Sequence, residues 1–73
     1  MKTDLDRITV DPDIMNGQAC IRNMRITVKR VIRAMILYPD RRKLLCEYPE
    51  LENEDIEQAL IWAARNLGHM CFL

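Results

Sequence analysis

Cationic side chains are concentrated in the middle of this 73-residue sequence. Residues 22–43 hold eight lysines and arginines against a single carboxylate, Asp40, so this segment carries a formal charge of +7. Guanidinium and ammonium groups bind phosphate oxygens through charge-assisted hydrogen bonds. The pattern therefore predicts a surface for a polyanion, with duplex DNA as the expected ligand. The candidate DNA-binding residues are Arg22, Arg25, Lys29, Arg30, Arg33, Arg41, Arg42 and Lys43.

The flanking segments carry the opposite charge. Residues 1–21 sum to −2 and residues 44–73 sum to −5, which brings the whole chain to a formal net charge of zero. The overall charge therefore says little about partners. The change of sign between adjacent segments is the informative feature, because each segment can attract a different partner.

The positions of the cations favour a bound anion over an ordinary solvated helix face. Lys29 and Arg30 fall in the first turn of a predicted helix, and Arg41 opens a second one. A cation near a helix N-terminus is unfavourable by about 0.3–1 kcal/mol. A phosphate bound at the free backbone N–H groups offsets that cost. We expect residues 22–43 to form a phosphate-contacting face, and a solvated face is the alternative.

Apolar residues near the C-terminus indicate a second surface. Ile61 and Trp62 fall on either side of the apolar stripe of the third predicted helix, and residues 69–73 form an apolar tail. An aromatic anchor is typical of protein interfaces, so a homodimer or a toxin interface is expected here. The alternative places Trp62 at the edge of a wide core. The candidate interface residues are Ile61, Trp62, Met70, Phe72 and Leu73.

The sequence predicts no catalytic site, no metal site and no cofactor. Cys20, Cys46, Cys71 and His69 could supply zinc ligands, but no two cysteines have the short spacing of structural zinc sites. No nucleophile is paired with a base, and the acids of the third helix are expected to face solvent at its N-terminus. An odd number of widely spaced cysteines and the lack of an export signal predict a cytoplasmic protein without membrane contact.

Short extended segments come first in the chain. Residues 8–10 alternate between apolar and polar side chains and have β-branched residues at both ends, which predicts a strand. Residues 19–21 form a possible second strand. Asn16 and Gly17 between them predict a turn, because both tolerate a positive φ. Residues 1–27 are therefore expected to form a β-containing arm.

Three helices are predicted after the arm. Thr27 caps the first helix, and Pro39 ends it near Tyr38. Asp40 caps a shorter second helix, and the third opens at Glu52 or Asn53. The expected inward-facing residues are Val28, Val31, Ile32, Met35 and Ile36 in the first helix, Leu44, Leu45 and Tyr48 in the second, and Ile56, Ala59, Leu60, Ala63 and Leu67 in the third, with Gly68 as its C-terminal cap.

These elements predict one mainly α domain over residues 1–73, with a three-helix core at 28–68. Three helices with short connections are the minimum for a helix-turn-helix, formed by the second and third helices. The second helix of such a motif normally enters the DNA groove. Here it opens with Glu52, Glu54, Asp55 and Glu57, which repel phosphates, so DNA contacts are expected from the first helix instead.

Two stretches of the sequence resemble a known family. ITVDPDIMNGQACIRNMRITVKRVI and YPELENEDIEQAL are similar to the small bacterial family called domain of unknown function 433. Its members read loosely as DP-I-GG-P-I-GTRI-V and then YP-L-EDI-AAL-YA. The resemblance spans about residues 8–64. Matching positions are Asp11, Pro12, Ile14, Gly17, Ile21, Arg25, Ile26, Val28, Tyr48, Pro49, Leu51, Glu54, Asp55, Ile56, Ala59, Leu60 and Ala63.

The resemblance implies a homeodomain-like or winged-helix-like fold and an antitoxin function. Many members are thought to be encoded beside a PIN-like nuclease toxin. It therefore implies a module that binds and neutralises such a toxin, with operator DNA as a further ligand, and the apolar C-terminal residues add the expectation of a homodimer. The alternative is a stand-alone helix-turn-helix DNA-binding regulator without a toxin, and a third hypothesis is a purely structural dimerisation module.

Three departures from the family pattern concern turns and charge. Asn23 and Met24 replace the usual Gly-Thr, and Asn23 can still adopt a positive φ. Ala19 replaces a proline. Residues 41–43 are basic where the family often carries acids, which bears on the identity of the partner more than on the fold.

Overall fold

The computed structural model describes residues 4–66, and it begins with a two-stranded antiparallel sheet. Strand β1 is Ile8–Val10 and strand β2 is Ala19–Ile21, with Ile8 opposite Ile21. The chain reverses through a 3₁₀ turn at Met15–Gly17, where φ is +59° at Asn16 and +80° at Gly17. The predicted Asn-Gly turn is therefore confirmed, because this backbone region favours asparagine and glycine.

Helix α1 is Val28–Leu37. The Thr27 hydroxyl accepts a hydrogen bond from the Arg30 N–H at 3.0 Å, which confirms the predicted cap. Helix α2 is Arg41–Glu47, and the Asp40 carboxylate caps it by accepting from the Arg42 N–H at 2.9 Å. Each helix ends one residue before a tyrosine and two before a proline, as the prolines predict.

Helix α3 is Asn53–Arg65 and Glu52 is its N-cap residue. Its buried face packs against the buried face of α1. The predicted Leu67 and Gly68 lie outside the described residues, as does the apolar tail. Within residues 4–66 no helix is long and apolar enough to cross a bilayer.

A single hydrophobic core joins the sheet and the three helices. Residues from both strands, all three helices and the α2–α3 connection contribute to it, with β2 in contact with α1 and β1 in contact with α3. The core residues are Ile8, Ile21, Val28, Val31, Ala34, Leu44, Leu51, Ile56, Ala59 and Ala63.

Two side chains that were predicted to face inward are exposed instead. Ile36 in α1 is 61 % exposed and Leu60 in α3 is 40 % exposed. At about 100° per residue, Ile36 is displaced by about 80° from Val28 and Leu60 by about 40° from Ile56, in both helices away from the side on which Val31 and Ala59 lie. Ala34 and Asp55 occupy buried positions that the stripes omitted, each at the edge of the buried face opposite to Ile36 or Leu60.

Candidate nucleic-acid interface

An open groove runs along α1, and four of the predicted DNA-binding residues line it. Its volume is about 430 Å³. Among the described residues that line the groove, none is an aspartate or a glutamate. The cationic lining residues are Arg25, Lys29, Arg30 and Arg33, and the others are Met15, Gln18, Thr27, Ala34, Leu37 and Tyr48. A positive groove without acids suits an anionic ligand.

The local sequence explains why these cations lie together. Arg25 is in the bend that precedes α1, while Lys29 and Arg33 lie four residues apart and therefore on one side of the helix. Arg30 is in the first turn, where the positive end of the helix dipole adds to its charge. None of these four side chains belongs to the ion pairs formed within residues 4–66, so their charge is not neutralised there.

The groove changes character along the helix. Its cations lie toward the N-terminus of α1, whereas Ala34, Leu37 and Tyr48 form an apolar and aromatic end. Phosphates suit the first part and the less polar sugar or base edges suit the second. The arrangement can therefore bind a ligand with anionic and apolar parts.

Arg22 has a different role from the one predicted. Its Nε and Nη2 donate to the Asp55 carboxylate at 3.1 and 2.8 Å, and Nη2 also donates to the Glu50 carbonyl at 2.8 Å. These bonds hold the turn after β2 against the start of α3. Because this guanidinium is bound internally, we remove Arg22 from the candidate DNA-binding set.

The three cations of α2 do not line the groove. Arg41 Nη1 donates to Asn53 Oδ1 and so joins the starts of α2 and α3. Arg42 and Lys43 are exposed and belong to none of the ion pairs among the described residues. The structure thus divides the predicted set into groove residues, internally bonded residues and two exposed cations of α2.

Asp55 is fully buried, which corrects the prediction that it faces solvent. Its carboxylate accepts from Arg7 Nη1 at 3.0 Å, from both Arg22 nitrogens and from the Glu52 N–H at 2.8 Å. Arg7 Nη1 also donates to the Glu52 carboxylate at 2.5 Å. One carboxylate therefore joins the N-terminal strands to α3.

The charge state of Asp55 follows from two opposing effects. Burial disfavours the ionised form and raises the pKa of this carboxyl group. Hydrogen bonds from Arg22, from the Glu52 backbone and from Arg7 favour the ionised form and outweigh burial, so the pKa of Asp55 lies below its ordinary value. Asp55 is therefore a carboxylate at neutral pH.

The sequence around Asp55 contains one signal of its role, and that signal involves only neighbouring residues. An acid three residues after the N-cap residue is the pattern of a capping box, in which that side chain accepts from the N-cap backbone N–H. The spacing of Glu52 and Asp55 fits this pattern, and the structure contains the bond. The pattern does not reveal the two arginines, which lie 33 and 48 residues away in the sequence.

The predicted partner interface is described only in part. Ile61 is 44 % exposed on α3. Trp62 is partly buried and packs against the core, as the core-edge alternative expects, and a role for its exposed part in an interface stays a prediction. Met70, Phe72 and Leu73 lie outside the described residues, as do His69 and Cys71. Within residues 4–66 no group of three histidine, cysteine or acidic residues could hold a metal ion.

The described residues define a mainly helical domain with three helices and a two-stranded antiparallel sheet. The profile of the family described as Protein of unknown function (DUF433) matches residues 8–63, which is most of the chain. The chain belongs to this family, as its two motifs predicted.

A solved structure supports the same assignment. The crystal structure of a DUF433 member protein from Anabaena variabilis is similar, with 32 % sequence identity and a TM-score of 0.76. The match covers 85 % of this chain and 61 % of that chain, so this chain spans about three fifths of that protein's length. A comparison with curated proteins gives no match.

Proposed function

We propose that this protein is an antitoxin-like regulator that binds duplex DNA through the groove along α1. The observation that carries the proposal is the set of four cations in one groove whose lining, within residues 4–66, includes no carboxylate. Clustered cations that have no internal partner attract phosphates, and such contacts supply most of the affinity for duplex DNA. The proposal assigns no catalytic step to the chain.

The proposal gives the DNA contact to α1 rather than to α3. We treat α2 and α3 as a helix-turn-helix, whose second helix would normally enter the major groove. The start of α3 exposes Glu52, Glu54 and Glu57, which would repel phosphates. The groove cations Lys29, Arg30 and Arg33 lie on α1 instead, so we expect contacts to the DNA backbone to dominate and sequence discrimination to be modest.

Charge reversal in the groove tests this proposal. Replacing Arg30→Glu and Arg33→Glu removes two attractive charges and adds two repulsive ones. We expect the Kd for a duplex of about 20 base pairs to rise by about 100-fold at low salt. Fluorescence anisotropy with a labelled duplex measures the change, and circular dichroism confirms that the variant is folded.

The matched control is the variant Arg42→Glu with Lys43→Glu. It makes the same change in net charge on exposed residues that do not line the groove. We expect a much smaller loss of affinity, because the groove and not the net charge is the binding site. Equal losses in the two variants would contradict the proposal, and so would the absence of binding by the wild-type protein.

The toxin-binding part of the proposal concerns the exposed face of α3. Glu54 and Glu57 are exposed, and neither belongs to an ion pair among the described residues. Leu60 and Ile61 continue this face with exposed apolar surface. A PIN-like nuclease must attract nucleic acid and so presents cations near its active site, which an acidic and apolar helix face complements.

A co-expression experiment tests toxin neutralisation. We expect the nuclease encoded beside this gene to arrest growth alone and to be tolerated when this protein is present. The variant Glu54→Lys with Glu57→Lys should lose this protection, because its α3 face repels a cationic partner. The variant Arg30→Glu with Arg33→Glu serves as the control and should still protect. If the wild-type protein gives no protection, or if no nuclease gene adjoins, the stand-alone regulator is the better proposal.

A further inference from the structure

The exposed faces of α1 and α3 share one residue pattern with opposite charge. In α1 the exposed face carries Arg30 and Arg33, followed by Ile36 and Leu37. In α3 it carries Glu54 and Glu57, followed by Leu60 and Ile61. When the two helix sequences are aligned with one constant offset, the four positions correspond pairwise: Arg30 to Glu54, Arg33 to Glu57, Ile36 to Leu60 and Leu37 to Ile61.

Helix geometry places each set on one side of its helix. Successive residues turn by about 100°, so the four positions span about one third of the circumference in both helices. Arg33 and Leu37 are four residues apart, as are Glu57 and Ile61, which separates charged from apolar groups by about 6 Å along either axis. The two faces are therefore matched in length as well as in charge.

The exposed faces of α1 and α3 cannot contact each other within one molecule. Helices α1 and α3 already pack against each other through their opposite, buried faces, which include Val31, Ala34, Ile56 and Ala59. The ion pairs formed among residues 4–66 do not include any of the four charged residues of the pattern. Ile36 and Leu37 are 61 % and 71 % exposed, so the apolar ends are also uncovered.

We propose that α1 of one copy of this chain packs parallel to α3 of a second copy. Parallel packing brings both arginines opposite both glutamates and brings the two aliphatic pairs together, whereas antiparallel packing would place charges on apolar groups. A second copy is the occupant that the observations favour, because one chain supplies both halves of the match. The inference does not rest on DNA or toxin binding, and self-association would exclude those ligands because it covers the same side chains.

Analytical ultracentrifugation tests this proposal on the purified protein without DNA. A single helix pair forms a small interface, so we measure mass up to about 1 mM protein, the range suited to contacts of less than ~1,200 Å². We expect the wild-type protein to associate as its concentration rises. The variants Arg30→Glu with Arg33→Glu and Glu54→Lys with Glu57→Lys should each stay monomeric, because like charges then face each other.

An equimolar mixture of these two variants gives the decisive result. The acidic α1 of one variant matches the basic α3 of the other, so we expect association to return. Opposite net charge alone could also attract the two proteins, and a second mixture controls for it. In that mixture both variants also carry Ile36→Gln and Leu37→Gln, which keeps their opposite net charges but removes the exposed apolar half of each α1–α3 contact, so association should be at least tenfold weaker. A monomeric wild-type protein, or equal association in both mixtures, would overturn the proposal.

Discussion

Replacing Asp55→Ala is expected to lower the free energy of unfolding by about 2–4 kcal/mol. The substitution removes the buried acceptor of Arg7, Arg22 and the Glu52 N–H. Breaking a fully buried ion pair costs about 3–5 kcal/mol. The expected loss is smaller here because the side chains of Arg7 and Arg22 are 25 % and 38 % exposed and can be hydrated after the change. Urea denaturation followed by circular dichroism measures it.

Two further substitutions separate the charge from the hydrogen bonds. Asp55→Asn keeps the size and one acceptor oxygen but loses the charge, so its loss of stability should lie between those of the wild type and the alanine variant. Glu54→Ala changes an exposed neighbour and should alter stability by no more than about 0.5 kcal/mol. Similar values for Asp55→Ala and Glu54→Ala would show that the buried carboxylate does not hold the strands to α3.

The pH dependence of stability provides a second readout of the same carboxylate. The pKa of Asp55 in the folded protein lies below its ordinary value of 3.8. A lowered pKa adds stability that is fully present above that ordinary value and is lost as the pH falls through the folded-state pKa. The wild-type protein should therefore lose its advantage over Asp55→Asn below about pH 4, while the difference stays constant near neutral pH.

Local signals in the sequence predict most of the helices. Thr27 and Asp40 mark helix starts because their side chains cap the first turn. Pro39 and Pro49 mark helix ends because a proline disfavours the helical conformation in the residue before it. Each of these signals acts within a few residues of the boundary that it sets. The observed helices therefore begin and end close to the predicted positions.

The buried carboxylate is harder to predict because its partners are distant in the sequence. An acid in the first turn of a helix has a sufficient local explanation in the helix dipole, so nothing local requires Asp55 to be buried. Its burial depends on Arg7 and Arg22, which come from the N-terminal arm. The same limit explains why Arg22 was counted with the DNA-binding cations, since composition does not show where a guanidinium points.

The candidate DNA site was predictable as a charged segment but not as a surface. The sequence places eight cations in one segment, and only the fold shows that four of them share a groove. Helical spacing brings Lys29, Arg30 and Arg33 to one face, while the position of Arg25 depends on the turn after β2. The number of cations that share the groove determines how many phosphates the surface can contact.

Salt is expected to weaken DNA binding steeply, because four groove cations displace counterions from the duplex. Four phosphate contacts predict a slope of log K against log salt concentration of about −3.6. Raising the salt from about 50 to 200 mM should therefore reduce the affinity about 150-fold. Anisotropy titrations at four or five salt concentrations measure the slope directly.

The slope also counts the residues that take part, which a single Kd cannot do. Replacing Arg30→Ala and Arg33→Ala should bring the slope to about −1.8, because two of the four contacts are lost. Arg42→Ala with Lys43→Ala should leave it near −3.6, since neither residue lines the groove. A wild-type slope of about −5.4, the value for six contacts, lowered equally by both pairs would extend the phosphate-binding surface to α2. A slope near zero would mean that the groove along α1 does not hold the DNA backbone.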